Sequence, residues 1–297
     1  MLILACPGQG SQSKGFLQEW LDHYPTLRGR LDELSNFAGM DLVALGTQAE
    51  EEELRNTAVA QRLIVASGIA IAREVFAAQK IDGVVGHSVG EITAAAIAGV
   101  LTDEDAMRLV AVRADAMAEA ASLTPSSMAA VLGGDQALVL ATLENLGLEP
   151  ANLNGAGQIV AAGSKKKILQ LVASPPEKAR VIELKVAGAF HTSFMESAVD
   201  KVRSFASQLS ARQPVMKTWT NATGENISSG QQFLDLIVNQ ISQPVRWDLC
   251  MESLNQPGNQ LVELPPAGAL AGLLKRGADK VLSVALKSPG DLSKVNP

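Results

Sequence analysis

Short apolar runs alternate along this chain with longer segments whose apolar positions recur at helical spacing. The short runs predict β-strands at residues 2–6, 81–86, 260–264 and 281–286. The longer segments predict helices at 58–78, 89–99, 102–121, 193–211, near 230–240 and at 245–255. This order is typical of an α/β fold in which a parallel sheet is covered by helices.

Residues 126–186 follow a different pattern. Strands at 128–132, around 154–157, at 158–162 and at 180–186 are interleaved with helices at 135–146 and 165–172. The resulting order βαββαβ is that of a self-contained split-βαβ unit. We therefore predict a large α/β domain formed by 1–124 and 188–297, with a small subdomain inserted at 125–187, and a loose tail from Ser288.

Charge and composition exclude several classes of function. The formal net charge is −6 and the pI is near 5.2, which argues against nucleic-acid binding. No apolar run reaches the roughly 18 residues that span a bilayer, and the N-terminus reads as a strand, so we expect a cytoplasmic chain. The three histidines and two cysteines lack metal-ligand spacing, and no nucleotide loop is present, so we expect neither a metal nor a cofactor.

The segment Gly86-His87-Ser88-Val89-Gly90 fits the pattern G-x-S-x-G between a predicted strand and a predicted helix. In this pattern a serine sits on a strained turn, and glycines two positions away let the backbones pass. The serine hydroxyl then faces a substrate, and the Val89 N–H can stabilise an oxyanion. The alternative is a tight turn with a solvated serine.

A serine nucleophile needs a base, and His191 is the best candidate. His23 lies in a polar stretch, and His87 is adjacent to Ser88 on the same turn. A helix predicted to begin at Ser193 would keep the His191 imidazole neutral. No acid is marked by its position as a third member of a triad.

Two further features could bind an anionic substrate. Arg113 interrupts an apolar helical stripe, and a buried guanidinium suits bidentate binding of a carboxylate, although an internal salt bridge or a side chain that extends to the solvent would explain it equally well. The segment 8–12, Gly-Gln-Gly-Ser-Gln, follows the first strand, and its N–H groups could complete an oxyanion hole.

Together these residues resemble the malonyl-CoA:acyl carrier protein transacylase family. The resemblance rests on Pro7–Gln12, on the motif from Gly86 to Glu91, and on Arg113 at the expected distance. Four later motifs also resemble those of the family, and they begin at Asn154, Gly188, Gln243 and Pro265. The fold it implies is a hydrolase-like α/β domain with an inserted ferredoxin-like subdomain. Pro266 and Ser193-Phe194 depart from the commoner family residues.

The resemblance also implies roles. Ser88 would be the nucleophile, His191 its base, and the N–H groups of Gln9 and Val89 the oxyanion hole. Arg113 would bind the malonyl carboxylate, and the main-chain carbonyl of Gln240 would orient His191. The implied reaction is ping-pong transfer of a malonyl group from malonyl-CoA to the phosphopantetheine thiol of acyl carrier protein, by a monomer. Phe190, before the histidine, is the form associated with malonyl selection.

Three other functions remain open on the sequence. A thioesterase or esterase could use the same turn, and a malonate decarboxylase system could use the same transfer with another carrier. A non-catalytic acyl-binding protein would not need Ser88. The basic residues that could dock an acidic carrier are Lys165–Lys167, Lys185, Lys275 and Arg276.

Overall fold

The computed structural model describes residues 1–296, which form ten β-strands, thirteen α-helices and two short 3-10 helices. The strands are β1 (Leu2–Cys6), β2 (Gly83–Gly86), β3 (Ser126–Gly133), β4 (Glu149–Gly155), β5 (Gln158–Ser164), β6 (Ala179–Glu183), β7 (Lys217–Trp219), β8 (Val245–Arg246), β9 (Gln260–Glu263) and β10 (Leu282–Ala285). The helices are α1 (Gln18–His23), α2 (Thr26–Ala38), α3 (Leu42–Gln48), α4 (Glu51–Arg55), α5 (Thr57–Val75), α6 (Gly90–Ile97), α7 (Asp103–Leu123), α8 (Gln136–Leu146), α9 (Lys165–Ala173), α10 (Glu196–Ala206), α11 (Gly230–Asn239), α12 (Trp247–Leu254) and α13 (Ala269–Gly277). The 3-10 helices span Ser193–Met195 and Pro289–Lys294.

The larger sheet is parallel throughout and has the strand order β10-β9-β1-β2-β7. Successive side chains of the central strand β1 enter different cores: Leu4 and Cys6 pack with α5, α6 and α7, whereas Ile3 and Ala5 pack with α12 and α13. Helices on both faces bury both sets of side chains, which is why β1 is apolar at every position.

The smaller sheet has the order β6-β3-β5-β4-β8. Its first four strands are antiparallel, and β8 pairs with β4 in parallel. Helices α8 and α9 cover one face, while Met128 and Val160 on the other face join the core of the large sheet. The predicted fold class, a parallel α/β sheet with a separate antiparallel sheet, is confirmed. The division of the chain into domains at 125–187 stays a prediction, and the fifth strand of the smaller sheet comes from outside that segment.

The C-terminal tail is not loose, and that prediction is wrong. Pro289–Lys294 forms a 3-10 helix whose first turn is closed by a capping box between Ser288 and Asp291. The Gln260 side chain then accepts a hydrogen bond from the Asn296 N–H at 2.9 Å and donates one to the Lys294 carbonyl at 3.1 Å. These bonds hold the segment against β9; Pro297 lies outside the described residues.

Two predicted helices have different limits. The helix expected at 193–211 is a 3-10 turn, capped by Thr192, followed by α10 over Glu196–Ala206. The helix expected at 245–255 begins at Trp247, because the two residues before it pair with β4. Strands β7 and β8 have three and two residues, too few to display a period, and helices α1 to α4 were not predicted.

No helix within residues 1–296 is both long enough and apolar enough to cross a membrane.

Candidate active site

Ser88 lies on the turn between β2 and α6 and has a left-handed φ of 54°. A Cβ on Gly86 would come within 2.2 Å of the main chain of Gly90, and a Cβ on Gly90 would come within 2.1 Å of the Cys6 carbonyl oxygen. Only glycine fits where backbones pass this closely. The predicted steric reason for the G-x-S-x-G spacing is therefore confirmed.

A chain of two hydrogen bonds leads away from Ser88. Its Oγ lies 2.7 Å from Nε2 of His191, and Nδ1 of the same ring lies 2.7 Å from the main-chain oxygen of Gln240. The carbonyl can only accept, so Nδ1 carries the proton and Nε2 is free to accept the serine proton. Within residues 1–296 no carboxylate hydrogen-bonds to this imidazole.

The His191 ring is a neutral base. Burial first, and then the positive charge of Arg113, lower its pKa to about 3, although the hydrogen bond to the Gln240 carbonyl acts in the opposite direction. The sequence predicted a neutral ring, and burial and Arg113 are two causes that it did not identify.

Arg113, on α7, is 1% exposed and faces Ser88. Its Nη1 donates to Oε1 of Gln61 on α5, its Nη2 lies 3.4 Å from the Ser88 Oγ, and its Nε has no partner. Burial lowers the guanidinium pKa to about 10, so the group stays positive at neutral pH. Within residues 1–296 no carboxylate lies within salt-bridge distance of this buried cation, although the charge of Glu91 acts on it from farther away, so the guanidinium can still pair with an anion beside the serine.

A cavity of about 700 Å³ brings these groups together. Ser88, His191, Arg113, Gln9 and Val89 all line it. It opens between the carboxyl ends of β1 and β2 and the face of the smaller sheet on which Met128 and Val160 lie. Gln240 lies behind His191, outside the cavity lining. The chemical roles of these six residues stay predictions.

His87 has its own partners. Its Nε2 lies 3.0 Å from Oδ1 of Asn154 on β4, and its ring packs edge-on against Trp247 with centroids 5.6 Å apart. Burial lowers the pKa of His87. These contacts tie the Ser88 turn to the smaller sheet.

A buried polar cluster that was not predicted from the sequence lies behind Ser88 and His191. It consists of Glu91, Asn221 and the Gln240 side chain, all at 5% exposure or less. Oε2 of Glu91 accepts from the Gln240 Nε2 at 2.5 Å, and its Oε1 accepts from the Asn221 N–H at 2.6 Å. A carboxylate at the start of an alanine-rich, wholly buried helix was the one signal that could have indicated it.

The six candidate docking residues divide into three groups, and Lys166 and Lys275 form the group that is exposed without lining the cavity. Lys165 pairs with Glu183 at 3.7 Å and Lys167 donates to the Gly147 carbonyl at 3.1 Å, so these two have structural partners. Lys185 and Arg276 are exposed and line the cavity. Among residues 1–296, no group of three or more His, Cys, Asp or Glu side chains is arranged to hold a metal ion.

Comparison with known proteins agrees with this geometry. Residues 4–290 match the family described as "Acyl transferase domain". The chain is 46% identical to a "Malonyl CoA-acyl carrier protein transacylase" from Mycobacterium tuberculosis over 99% of both sequences. It is 31% identical to the protein of that description from Escherichia coli K12 over 97% of this chain and 96% of the other.

Solved structures with the same fold include MCAT from Mycobacterium tuberculosis, with a TM-score of 0.93, 45% identity and 99% coverage of both chains. A second is a malonyl-transacylase in complex with its type II PKS acyl-carrier protein, with a TM-score of 0.92 and 29% identity over 99% of this chain and 98% of that one.

Proposed function

Because this chain belongs to the acyl transferase domain family, we propose that it transfers a malonyl group from malonyl-CoA to the phosphopantetheine thiol of acyl carrier protein. Such a malonyltransferase supplies the extender unit for fatty acid or polyketide synthesis. The observation that carries the proposal is the Ser88–His191–Gln240 hydrogen-bond chain, with the Arg113 fork 3.4 Å from the serine oxygen.

In the first half-reaction the Ser88 Oγ attacks the thioester carbonyl carbon of malonyl-CoA, and Nε2 of His191 takes the hydroxyl proton. The main-chain N–H groups of Gln9 and Val89 stabilise the tetrahedral oxyanion. The carbon–sulfur bond then breaks, CoA leaves with the proton held by His191, and a malonyl ester remains on Ser88.

The second half-reaction reverses these steps. Nε2 of His191 accepts the proton of the phosphopantetheine thiol, and the thiolate attacks the ester carbonyl. The bond to Ser88 breaks, and the serine oxygen recovers its proton from His191. The 2.7 Å bond from Nδ1 to the Gln240 carbonyl keeps the ring in the tautomer that both steps require.

Arg113 provides the selection for a diacid. In a malonyl ester a single CH₂ group separates the carboxylate from the reacting carbonyl, and the guanidinium is the buried cation beside Ser88. Phe190, 7% exposed and lining the cavity, limits the room beside the malonyl α-carbon and so supports malonyl over a branched acyl group.

The carrier protein approaches the open side of the cavity, where Lys185 and Arg276 provide positive charge for an acidic partner. One copy of the chain holds every proposed group, so a monomer suffices. No metal or cofactor enters the proposed steps, and a cytoplasmic location stays a prediction.

Intact-protein mass spectrometry after brief mixing with malonyl-CoA tests the proposal. We expect a malonyl adduct on the wild type, none on Ser88→Ala, and discharge of the adduct when holo acyl carrier protein is added. An adduct that decays to free malonate at the same rate with and without carrier would instead establish a hydrolase. No adduct with any acyl-CoA would leave the chain as an acyl-binding protein.

A further inference from the structure

The carboxylate of Glu91 has no part in the proposed steps, yet it lies at the centre of the polar cluster behind them. Glu91 is in the first turn of α6, three residues after the nucleophile, and is 1% exposed. A buried carboxylate is costly unless donors compensate it. Through hydrogen bonds to such donors, its two carboxylate oxygens are linked to both His191 and Ser88.

The first connection leads to the base. Oε2 of Glu91 accepts from Nε2 of Gln240 at 2.5 Å, and the main-chain oxygen of Gln240 accepts from Nδ1 of His191 at 2.7 Å. Gln240 caps the C-terminus of α11, where the chain is no longer held by the helical ladder on both sides. Its side-chain bond to Glu91 therefore restrains the carbonyl that orients the imidazole.

The second connection leads to the nucleophile. Oε1 of Glu91 accepts from the Asn221 N–H at 2.6 Å. The Asn221 side chain then accepts from the Ser88 N–H at 2.8 Å and donates to the Gly86 carbonyl at 2.7 Å, on the two sides of the strained turn. Gln240 Nε2 also donates to Oδ1 of Asn221 at 3.0 Å, which closes the cluster.

The ionised form of Glu91 fits this arrangement, because both neighbours present N–H donors and a protonated carboxyl would direct an O–H at one of them. The titratable groups around it are Arg113 on α7, Cys250 on α12, and His191 and His87 in the adjoining turns. Burial raises the Glu91 pKa to about 7, while the Asn221 N–H and the charge of Arg113 act in the opposite direction. Glu91 and Arg113 in turn reinforce each other's charged states.

We infer that Glu91 is a positioning residue of the acyl-transfer site. Its carboxylate binds Gln240 and Asn221, and through these two residues it fixes the position of the His191 ring relative to the Ser88 turn. Glu91 does not contact the imidazole but acts on it through Gln240. Its role corresponds to that of the acid that hydrogen-bonds directly to the histidine in Ser-His-Asp sites. The inference rests on the proposed function, since it assumes that His191 activates Ser88.

The test compares wild type with Glu91→Gln and Gln240→Met. Glu91→Gln keeps the shape but places an amide N–H₂ opposite the amide of Gln240. Gln240→Met removes the side-chain donor and leaves the main-chain carbonyl. Asp82→Asn is the matched control, since Asp82 also accepts a main-chain N–H, from Leu2 at 2.8 Å, at the end of β2 away from Ser88.

The readout is the rate of malonyl-adduct formation across malonyl-CoA concentrations, with thermal unfolding of each variant recorded alongside. We expect the maximal acylation rate of both Glu91→Gln and Gln240→Met to fall by ~10- to 100-fold, the range seen when a partner that orients a reacting group is lost. The half-saturating malonyl-CoA concentration should stay within about twofold, since neither residue lines the cavity. Asp82→Asn should acylate at the wild-type rate.

A pH profile separates positioning from a structural role. Wild-type acylation should rise through pH about 7 as Glu91 loses its proton, and this limb should vanish in Glu91→Gln because glutamine does not titrate. His191 adds no limb there, since its pKa is about 3.

Folded Glu91→Gln that acylates within about twofold of wild type, or that keeps the limb near pH 7, would overturn the inference. If Glu91→Gln does not fold, wild-type rates in Gln240→Met would overturn it as well. Failure of the wild type itself to form an adduct would instead reject the proposed function, so the two failures are distinguishable.

Discussion

Replacing Arg113 by alanine should convert a diacid-selective enzyme into one with little preference for malonyl over acetyl. The side chain is 1% exposed, its Nη2 lies 3.4 Å from the nucleophile, and its Nε lacks any partner. A malonyl carboxylate seated on this fork would form a desolvated, charge-assisted pair. Truncating one partner of such a pair removes about 2–5 kcal/mol.

That free energy corresponds to a loss of ~30- to 5,000-fold in kcat/KM for malonyl-CoA, at ~1.4 kcal/mol per factor of ten. Acetyl-CoA has no free carboxylate to contact Arg113, so the acylation rate with acetyl-CoA should change by less than about tenfold. The assay measures the acylation rate with each thioester by intact-protein mass spectrometry, and the ratio of the two rates is the decisive quantity.

Arg62→Ala is the matched control. Arg62 is also a buried arginine, 6% exposed, but its fork is already occupied by Asp115 at 2.9 and 2.7 Å and by the Ala58 carbonyl. We expect Arg62→Ala to lower the free energy of unfolding and to leave the malonyl-to-acetyl ratio unchanged. Equal losses for malonyl and acetyl in Arg113→Ala, or a ratio unchanged from wild type, would refute the carboxylate role.

Three further outcomes follow from the same structure. Ser88→Ala should lower malonyl transfer by ~1,000-fold or more with an unchanged fold, measured as carrier acylation; transfer near the wild-type rate would exclude the serine as nucleophile. Gly90→Ala should lower the free energy of unfolding by ~3 kcal/mol or more, because its Cβ would lie 2.1 Å from a carbonyl oxygen of β1. Gly29→Ala, whose Cβ meets nothing within 4 Å on α2, should stabilise by up to ~1 kcal/mol in the same urea titration; similar effects of both would contradict the steric argument. Arg276→Glu should raise KM for acyl carrier protein, most at low salt, whereas Arg28→Glu on α2 should not. If the two substitutions change KM equally, Arg276 is not part of the docking surface.

The local parts of this protein could be predicted from the sequence. Strand β1 spans Leu2–Cys6 both in the prediction and in the structure, because a strand buried on two faces must be apolar throughout. The turn around Ser88 was equally readable, since a close backbone passage at Gly86 and Gly90 excludes every side chain. Arg113 was identified as an unusual cation, but the sequence left a salt bridge and a substrate contact equally open.

Two of the features that the sequence did not predict depend on residues far away in the chain. Strand β8 has two residues and exists because β4, more than 90 positions earlier, offers it an edge. The tail after Ser288 is ordered by the Gln260 side chain. Gln240 was reached through a family resemblance rather than its own pattern, because every residue has a carbonyl and only the folded chain decides which one meets His191.

The sequence by itself determined the buried strand β1 and the strained serine turn, because these follow from burial and steric rules that act over a few residues. Tertiary structure alone decided that Glu91 meets Gln240, 149 positions away, and that Arg113 faces Ser88 with an unpartnered Nε. Burial of these groups also produced the pKa of about 3 at His191 and about 7 at Glu91. Desolvation and hydrogen-bond pairing depend on which segments pack together, and no local pattern of residues encodes that.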